Sequence, residues 1–286
     1  MSKDPGGKVA APAHVRYLHK RITDESNAQS VATKRMVRWV GHMVVAAMLD
    51  NVRHPNDGRP VFLIKGGVAM ELHLNLGARA TADLDTAFRA DAAKIETYLD
   101  NGLRTGFQGF TATRSAAKLV RDTGMHRFQI KLSYLGRSFS TVQLEVAEAE
   151  ASMEVDIDQV AVKPLDAFGI DGPATVPCLP VRWIIAQKLH ACTEVMPDRD
   201  NDRFRDLFDL PLLEELIGDG DWPEVRAGCV ELFEGRRKHR WPPEVTIFED
   251  WPAGYRALAV ETRAAIITVE DAAAAVRALI ARIDAA

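Results

Sequence analysis

The 286-residue sequence has few cysteines, few aromatic residues and no long hydrophobic run. Its three cysteines, Cys178, Cys192 and Cys229, are far apart and lack a paired metal-binding spacing, which argues against a disulfide scaffold or a zinc module. Because no stretch of about eighteen uninterrupted apolar residues occurs, no membrane span is predicted. The N-terminal residues contain no apolar signal segment, so we expect a cytoplasmic protein that contacts no membrane.

Hydrophobic periodicity divides the chain into an α/β first half and a helical second half. Residues 1–12 are small and polar and predict a flexible tail. Alternation of apolar with polar residues over 126–134 and 141–146 predicts a strand hairpin. We therefore expect an α/β domain over 13–163 and a helical domain over 164–286. The other predicted elements are a strand over 61–64 and helices over 13–50, 68–76, 91–101 (closing at Gly102), 181–196 and 206–217.

Two glycines directly follow the predicted strand over 61–64. Gly66 and Gly67 precede a predicted helix, where glycine lets the backbone approach a ligand and the free N–H groups of the helix start suit a phosphate. A tight turn is the alternative explanation of this pair.

Three carboxylates in the first half could form a metal site. Asp83 and Asp85 lie at i and i+2 of an extended segment, so they share one face while Leu84 enters the core. Magnesium and nucleotide phosphates would offset their repulsion; two solvated aspartates are the alternative. Glu145 lies on the polar face of a later strand and either faces solvent or completes a site for up to two magnesium ions.

The helical half contains a lysine beside an apolar stripe. Ile184, Lys188 and Cys192 are four residues apart, so the Lys188 amine must reach solvent, pair with a carboxylate or face an anionic ligand. Farther along, Asp209 lies three residues after Asp206 on one helical face. Asp209 either pairs with Arg205 four residues earlier or approaches Lys188 and orients it toward a triphosphate.

The net charge of −4, from 36 basic and 40 acidic residues, excludes a chain that is basic throughout. Residues 101–140 nevertheless contain seven Lys/Arg and one acid, and residues 236–240 form a second basic run. These stretches are either solvated faces or surfaces that hold RNA phosphates. The candidate RNA-binding residues are Arg121, Arg127, Lys131, Arg236, Arg237 and Lys238.

Four ordered motifs resemble those of AbiEii-type nucleotidyltransferase toxins, most closely the mycobacterial toxins that modify transfer RNA. The likeness covers most of the chain from about Val61 and extends through Trp241-Pro-Pro243. The motifs are Lys65-Gly-Gly-Val-Ala-Met-Glu-Leu72, Arg79-Ala-Thr-Ala-Asp-Leu-Asp85, Gln187-Lys-Leu-His-Ala191 and Asp206-Leu-Phe-Asp-Leu210.

The resemblance implies a DNA polymerase β-like nucleotidyltransferase core with a mixed sheet, followed by a helical C-terminal domain. It implies that a monomer transfers nucleotides from an NTP to the 3′ acceptor end of tRNA, which blocks aminoacylation and translation, and that a cognate antitoxin exists. Asp83 and Asp85 would bind magnesium, Lys188 would contact the triphosphate and Asp209 would be a second essential residue. The residues expected to bind the nucleotide are Lys65, Gly66, Gly67, Arg79, Thr81 and Lys188, and Thr81 is also a possible site of inhibitory modification.

Three other functions remain open on the residues alone. A glycosyltransferase would use Asp83 and Asp85 for the metal of a nucleotide-sugar, but it would give no role to Lys188 and Asp209. A nucleotidyltransferase could instead act on an antibiotic or a protein, although the basic segment over 101–140 disfavours a small cationic acceptor. A non-catalytic binding module is disfavoured because both aspartates, the lysine and the later aspartate are all present.

Overall fold

The computed structural model describes residues 9–74, 78–120, 124–196 and 201–286, which form two compact units. Unit 1 comprises Met1–Ala149 and Ile157–Cys178, and unit 2 comprises Glu150–Asp156 and Leu179–Ala286. These limits differ from the domain limits expected at residues 163 and 164. The reason is that residues 158–161 and 175–178 are strands of the sheet of unit 1.

Unit 1 combines helices with a mixed sheet. The helices are α1 (Val15–Ala28), α2 (Thr33–Asp50), α3 (Gly66–His73) and α4 (Ile95–Arg104). The strands are β1 (Phe62–Lys65), β2 (Asp83–Phe88), β3 (Phe110–Arg114), β4 (Lys118–Leu119), β5 (His126–Tyr134), β6 (Arg137–Glu148), β7 (Asp158–Ala161) and β8 (Thr175–Cys178). The strand order in the sheet is β3-β5-β6-β2-β1-β8-β7, with β4 paired to β5; β1 and β2 are antiparallel, and β2 and β6 are parallel.

The predicted hairpin is present as β5 and β6, and it contains an irregularity of one residue. Leu135 and Gly136 both have positive φ, as a two-residue turn between strands requires. This turn pairs Tyr134 with Arg137, a register that would place apolar residues of β5 opposite polar residues of β6. A shift between Leu132 and Ser133 restores the match, so that the apolar side chains of both strands enter the core.

Two local predictions in unit 1 differ from the structure. The helix predicted over 13–50 is two helices, α1 and α2, separated by a turn in which Ser30 has a φ of 54°. Gly102 does not end α4; a Cβ there would lie 2.9 Å from Val52, so the glycine allows close packing on the end of α2. Of the tail predicted over 1–12, residues 1–8 lie outside the described residues, and the Pro12 carbonyl accepts a hydrogen bond of 2.7 Å from the Tyr134 hydroxyl.

Unit 2 is helical, as the sequence predicts for this part of the chain. Its α-helices are α5 (Val181–Thr193), α6 (Phe204–Glu214), α7 (Trp222–Arg236), α8 (Trp251–Thr262) and α9 (Val269–Asp284). Pro211 lies inside α6. Within the described ranges, every helix is too short or too polar to cross a lipid bilayer.

All three cysteines are buried and are free thiols. Cys178 lies in unit 1, and Cys192 and Cys229 lie in unit 2. Burial raises the pKa of the Cys229 thiol to about 12 and also raises the pKa of the other two thiols. None of the three is therefore ionised to a useful extent at neutral pH.

Candidate active site

The Gly66-Gly67 turn brings the backbone against two predicted site residues. Gly66 has a φ of 60°, and a Cβ at this position would overlap the Asp85 carboxylate. A Cβ on Gly67 would lie 2.7 Å from the Cβ of Thr81. These two glycines therefore do more than close a turn, because any side chain at either position would collide with Asp85 or Thr81.

Asp83 and Asp85 share one face at the start of β2, as the sequence predicts. Both side chains are partly exposed, whereas Leu84 between them is completely buried. The parallel neighbour β6 places Gln143 beside Asp83 and Glu145 beside Asp85. Register between the two strands thus brings Glu145, which lies 60 residues after Asp85 in the sequence, to the part of the sheet that carries Asp83 and Asp85.

A hydrogen-bonded network connects these acidic side chains. Gln143 Nε2 donates to Asp83 Oδ1 at 2.8 Å and to Glu145 Oε1 at 3.3 Å. Gln129 Nε2 donates to Gln143 Oε1 at 3.1 Å, which fixes the orientation of the Gln143 amide. Arg127 forms an ion pair with Glu145, with Nη2 2.7 Å from Oε1. Arg127, which the sequence offers as an RNA contact, therefore holds the third carboxylate of the site.

Burial and a neighbouring carboxylate together disfavour the ionised form of Asp83. Burial raises the pKa of the Asp83 carboxyl above its ordinary value, and the nearby Glu145 carboxylate raises this pKa further. Arg127 and Arg38 act in the opposite direction but do not cancel these effects. The site therefore holds an acidic cluster that would gain from a nearby positive charge.

Magnesium prefers oxygen ligands, and the carboxylates of Asp83 and Asp85 supply them on one strand face. Among the described residues, no group of three or more His, Cys, Asp or Glu side chains is placed to hold a metal ion. Glu145 is instead paired with Arg127. The residues present therefore fit a cation held by two aspartates and by groups that a substrate would bring.

The other predicted nucleotide-binding residues of unit 1 surround this face. Lys65, the last residue of β1, pairs in register with Asp85. Thr81 Oγ1 donates to the Asp83 carbonyl at 3.4 Å. Arg79 is close enough to the buried Glu71 to lower the pKa of that carboxyl, although burial raises this pKa overall.

Lys188 of α5 is buried in unit 2 between two aspartates of α6. Its Nζ is 2.8 Å from Asp206 Oδ1 and 2.7 Å from Asp209 Oδ2. The Asp209 side chain is fully buried, and that of Lys188 is 8% exposed. The predicted approach of Asp209 to Lys188 is therefore confirmed. Of the possibilities offered for the Lys188 amine, exposure to solvent is excluded, because the amine is buried and paired with carboxylates.

The predicted RNA-binding residues have different environments. Arg121 lies outside the described residues. Lys131 is exposed on β5. Arg236 forms two hydrogen bonds of 2.7 Å with Glu150 inside unit 2, whereas Arg237 and Lys238 are exposed.

The structure adds three residues, two in unit 1 and one in unit 2, that the motifs did not assign to either group of candidate residues. Gln143 bridges two of the acids, Asp206 is the second partner of Lys188, and Arg38 of α2 is close enough to Asp83 to lower the pKa of its carboxyl. Asp206 could have been found, since it lies three residues before Asp209 on one helical face. Arg38 has no comparable signal, because its proximity to Asp83 depends on tertiary packing.

The sequence profile of the family described as "Nucleotidyl transferase AbiEii toxin, Type IV TA system" matches residues 52–278. The fold is similar to that of MenT4, a nucleotidyltransferase toxin from Mycobacterium tuberculosis H37Rv. The TM-score is 0.58 at 17% identity, over 96% of this chain and 90% of that one. The structure of ANT(2″)-Ia in complex with adenylyl-2″-tobramycin also matches, at 16% identity over 69% of this chain and 97% of that one. Its TM-score of 0.35 is too low to indicate a shared overall fold. No curated protein matches the chain by sequence.

Proposed function

The chain belongs to the family of AbiEii nucleotidyl transferase toxins of type IV toxin–antitoxin systems, and from this membership we propose a magnesium-dependent transfer of nucleotides from an NTP to the 3′ end of tRNA. The observation that carries the proposal is the Gly66-Gly67 turn packed against Asp85, which shares one face of β2 with Asp83. Family membership also favours nucleotidyl transfer over the glycosyl transfer that an Asp-x-Asp pair alone would allow.

Transfer requires an oxygen–phosphorus bond to form as another breaks. The acceptor 3′-hydroxyl loses its proton and bonds to the α-phosphorus of the NTP, and pyrophosphate leaves with the electrons of the broken bond. Bound magnesium would neutralise the phosphate charge and favour ionisation of the hydroxyl. Asp83 and Asp85 would hold the cation, while Gln143 keeps the Asp83 carboxylate in position.

The backbone at Gly66 and Gly67 would bind the phosphates. With no side chain at either position, a phosphate could approach the N–H groups that begin α3. Lys65, Arg79 and Thr81 would add contacts from the neighbouring elements. Thr81 already lies against Gly67, so the nucleotide and the Thr81 side chain would share one small space.

Lys188 would neutralise charge on the triphosphate. Its two aspartate partners hold the buried amine in a fixed position. Asp209 would act by orienting Lys188 rather than by touching the nucleotide. This role gives a reason for placing a fully buried carboxylate on α6.

A tRNA acceptor is supported by the basic residues that remain available on the surface, including Lys131, Arg237 and Lys238. Their exposure suits a phosphate backbone better than a small cationic molecule. A toxin with this activity would block aminoacylation and would act in the cytoplasm, where a cognate antitoxin would restrain it. We expect the enzyme to act as a monomer.

The decisive experiment is incubation of the protein with each labelled NTP, magnesium and total RNA, followed by sequencing of the labelled 3′ ends. We expect label on tRNA ends with the wild type and none with Asp83→Asn. Asp24→Asn, an exposed aspartate of α1 that pairs with Lys20, is the matched control and should retain full transfer. Full transfer by a folded Asp83→Asn protein would overturn the proposal. So would a result in which the label appears on other molecules and never on RNA.

A further inference from the structure

A cavity of about 790 Å³ lies in unit 2 where α7 ends. Its walls come from α7, from residues 237–242 and from Asp284 at the end of α9. Neither Lys188 nor its two aspartates line it, so the cavity is distinct from the candidate transfer site of this unit. A volume of this size is within the range of about 300–1,000 Å³ that small ligands occupy.

The cavity carries exposed cations. Arg237, Lys238 and Arg240 are exposed, and among the described residues their side chains take part in no hydrogen bond or ion pair; the Arg237 backbone N–H donates to the Phe233 carbonyl at 3.0 Å. Arg226 is different, because its Nε donates to the Asp284 carbonyl at 3.2 Å. Two carboxylates, Glu234 and Asp284, face these four cations. The excess of positive charge suits a ligand that carries more than one negative charge.

An aromatic ring is fixed beside these cations. The Trp241 indole donates from Nε1 to Asp284 Oδ1 at 2.9 Å, and its ring packs edge-on against Phe233 with centroids 5.4 Å apart. Trp241 is only partly buried and lines the cavity. Because the indole is already held by a hydrogen bond and by a ring contact, a ligand that stacks on it would cost little side-chain entropy.

We propose that this cavity binds a nucleotide of single-stranded RNA, with the base against Trp241 and the adjoining phosphates at Arg237, Lys238 and Arg240. Alternation of an aromatic platform with backbone-binding cations is how proteins hold single strands without reading their sequence. An acidic peptide would use the cations but would give no role to the anchored indole. The inference rests on the proposed function, in which RNA is the acceptor, and identifies where the RNA is held away from its reacting end.

The chain supplies a matched pair of arginines for the test. Arg237 and Arg263 are both exposed, and each follows the end of a helix in the left-handed conformation, with φ values of 53° and 55°. Only Arg237 lines the cavity. Arg237→Glu and Arg263→Glu therefore make the same change of charge on the same backbone conformation, and they differ only in location.

Binding of a fluorescent single-stranded RNA, without NTP, is measured by anisotropy over a range of salt concentrations. We expect Arg237→Glu to raise the Kd about tenfold and to reduce the slope of log Kd against log salt by about 0.7. Arg263→Glu should leave Kd within about twofold of wild type. Equal Kd values for the two variants would overturn the proposal.

The aromatic contribution is tested separately. Trp241→Phe should raise Kd about three- to tenfold without changing the salt slope, because it removes stacking area but no charge. If this variant fails to fold, Arg240→Glu against Arg256→Glu, an exposed arginine of α8, tests the same cavity. No change of Kd in any cavity variant would overturn the proposal. The proposal would also be overturned if AMP displaced the fluorescent RNA as well as unlabelled RNA does.

Two readouts separate this inference from the proposed function. If wild type transfers nucleotides to RNA and Arg237→Glu does so with an unchanged KM for RNA, the function stands and the cavity proposal fails. If Arg237→Glu loses RNA binding but the wild type transfers label to no RNA, the cavity proposal stands and the proposed function fails.

Discussion

The two groups of candidate catalytic residues differ in how their charges are balanced. In unit 1, Asp83 has a neighbouring carboxylate in Glu145, and both burial and that neighbour raise the pKa of the Asp83 carboxyl. In unit 2, the Lys188 amine is buried between two aspartates at hydrogen-bonding distance. The first group has too much negative charge, which a cation would relieve, whereas the second already contains its counter-ions. A substitution that neutralises charge should therefore affect the stability of the two units in opposite ways.

The largest effect is expected from neutralising the acidic face. Asp85→Asn should reduce nucleotide transfer at least about 10²- to 10³-fold, because it removes a negative charge that holds the metal cation against the phosphates in the transition state. The corresponding change, Asp83→Asn, should reduce transfer similarly and leave the free energy of unfolding unchanged or higher, since it removes a carboxylate that burial and Glu145 disfavour. Urea unfolding and labelled-nucleotide transfer check both points. A marked loss of stability in Asp83→Asn would contradict the comparison.

A side chain at the glycine turn should separate activity from general stability. Gly66→Ala places a methyl group in the space of the Asp85 carboxylate at a φ of 60°, so we expect transfer to fall about 10²-fold. Gly58→Ala is the control, because its φ of 68° is similar but nothing lies within 4 Å of its added Cβ. The control should lose only about 1 kcal/mol of unfolding free energy and keep its activity. Similar activities for the two variants would argue against a role for the turn.

Removing a counter-ion in unit 2 should be costly to folding. Asp209→Ala leaves the buried Lys188 with one aspartate partner, and we expect a loss of about 3 kcal/mol of unfolding free energy. Asp209→Asn keeps an oxygen acceptor and should lose less stability while still impairing transfer. Urea unfolding of the two variants and of Asp24→Asn checks this prediction. An Asp209→Ala protein as stable as wild type would contradict the prediction and would show that Asp206 alone is a sufficient counter-ion for the buried Lys188 amine.

The smallest expected effect is a shift of the acid limb of activity. Asp83 must be ionised to bind magnesium, and its raised pKa means that activity is lost at a higher pH than for an ordinary aspartate. Glu145→Gln removes one cause of the raised pKa, so the acid limb of kcat/KM should move to lower pH. Likewise, the protonated Asp83 favours folding, and this contribution disappears as pH rises through its folded pKa. A limb that moves to higher pH would contradict the assignment.

Much of the fold and of the site could be predicted from local patterns. Alternation predicted β5 and β6, and the spacing of Asp83 and Asp85 predicted their common face, because both depend only on neighbours along one strand. Helical spacing placed Lys188 beside an apolar stripe and Asp209 on one face with Asp206, but it left the contact of Asp209 with Lys188 as one of two alternatives, which the structure decides.

What could not be predicted depends on register between strands. Arg127 faces Glu145 only because the register of the hairpin shifts by one residue between Leu132 and Ser133. Without that shift, the turn at Leu135 and Gly136 would pair Arg127 with Leu144. The sequence therefore offered Arg127 as an RNA contact, although its guanidinium holds a carboxylate of the site.

The three buried thiols have a practical consequence for the study of this protein. Since burial raises the pKa of Cys178, Cys192 and Cys229, maleimides at neutral pH should leave the native cysteines unmodified. A single Glu234→Cys substitution would then carry a dye on the wall of the basic cavity and leave its cations in place. The fluorophore would report RNA arrival in real time, with no need to build a cysteine-free parent first.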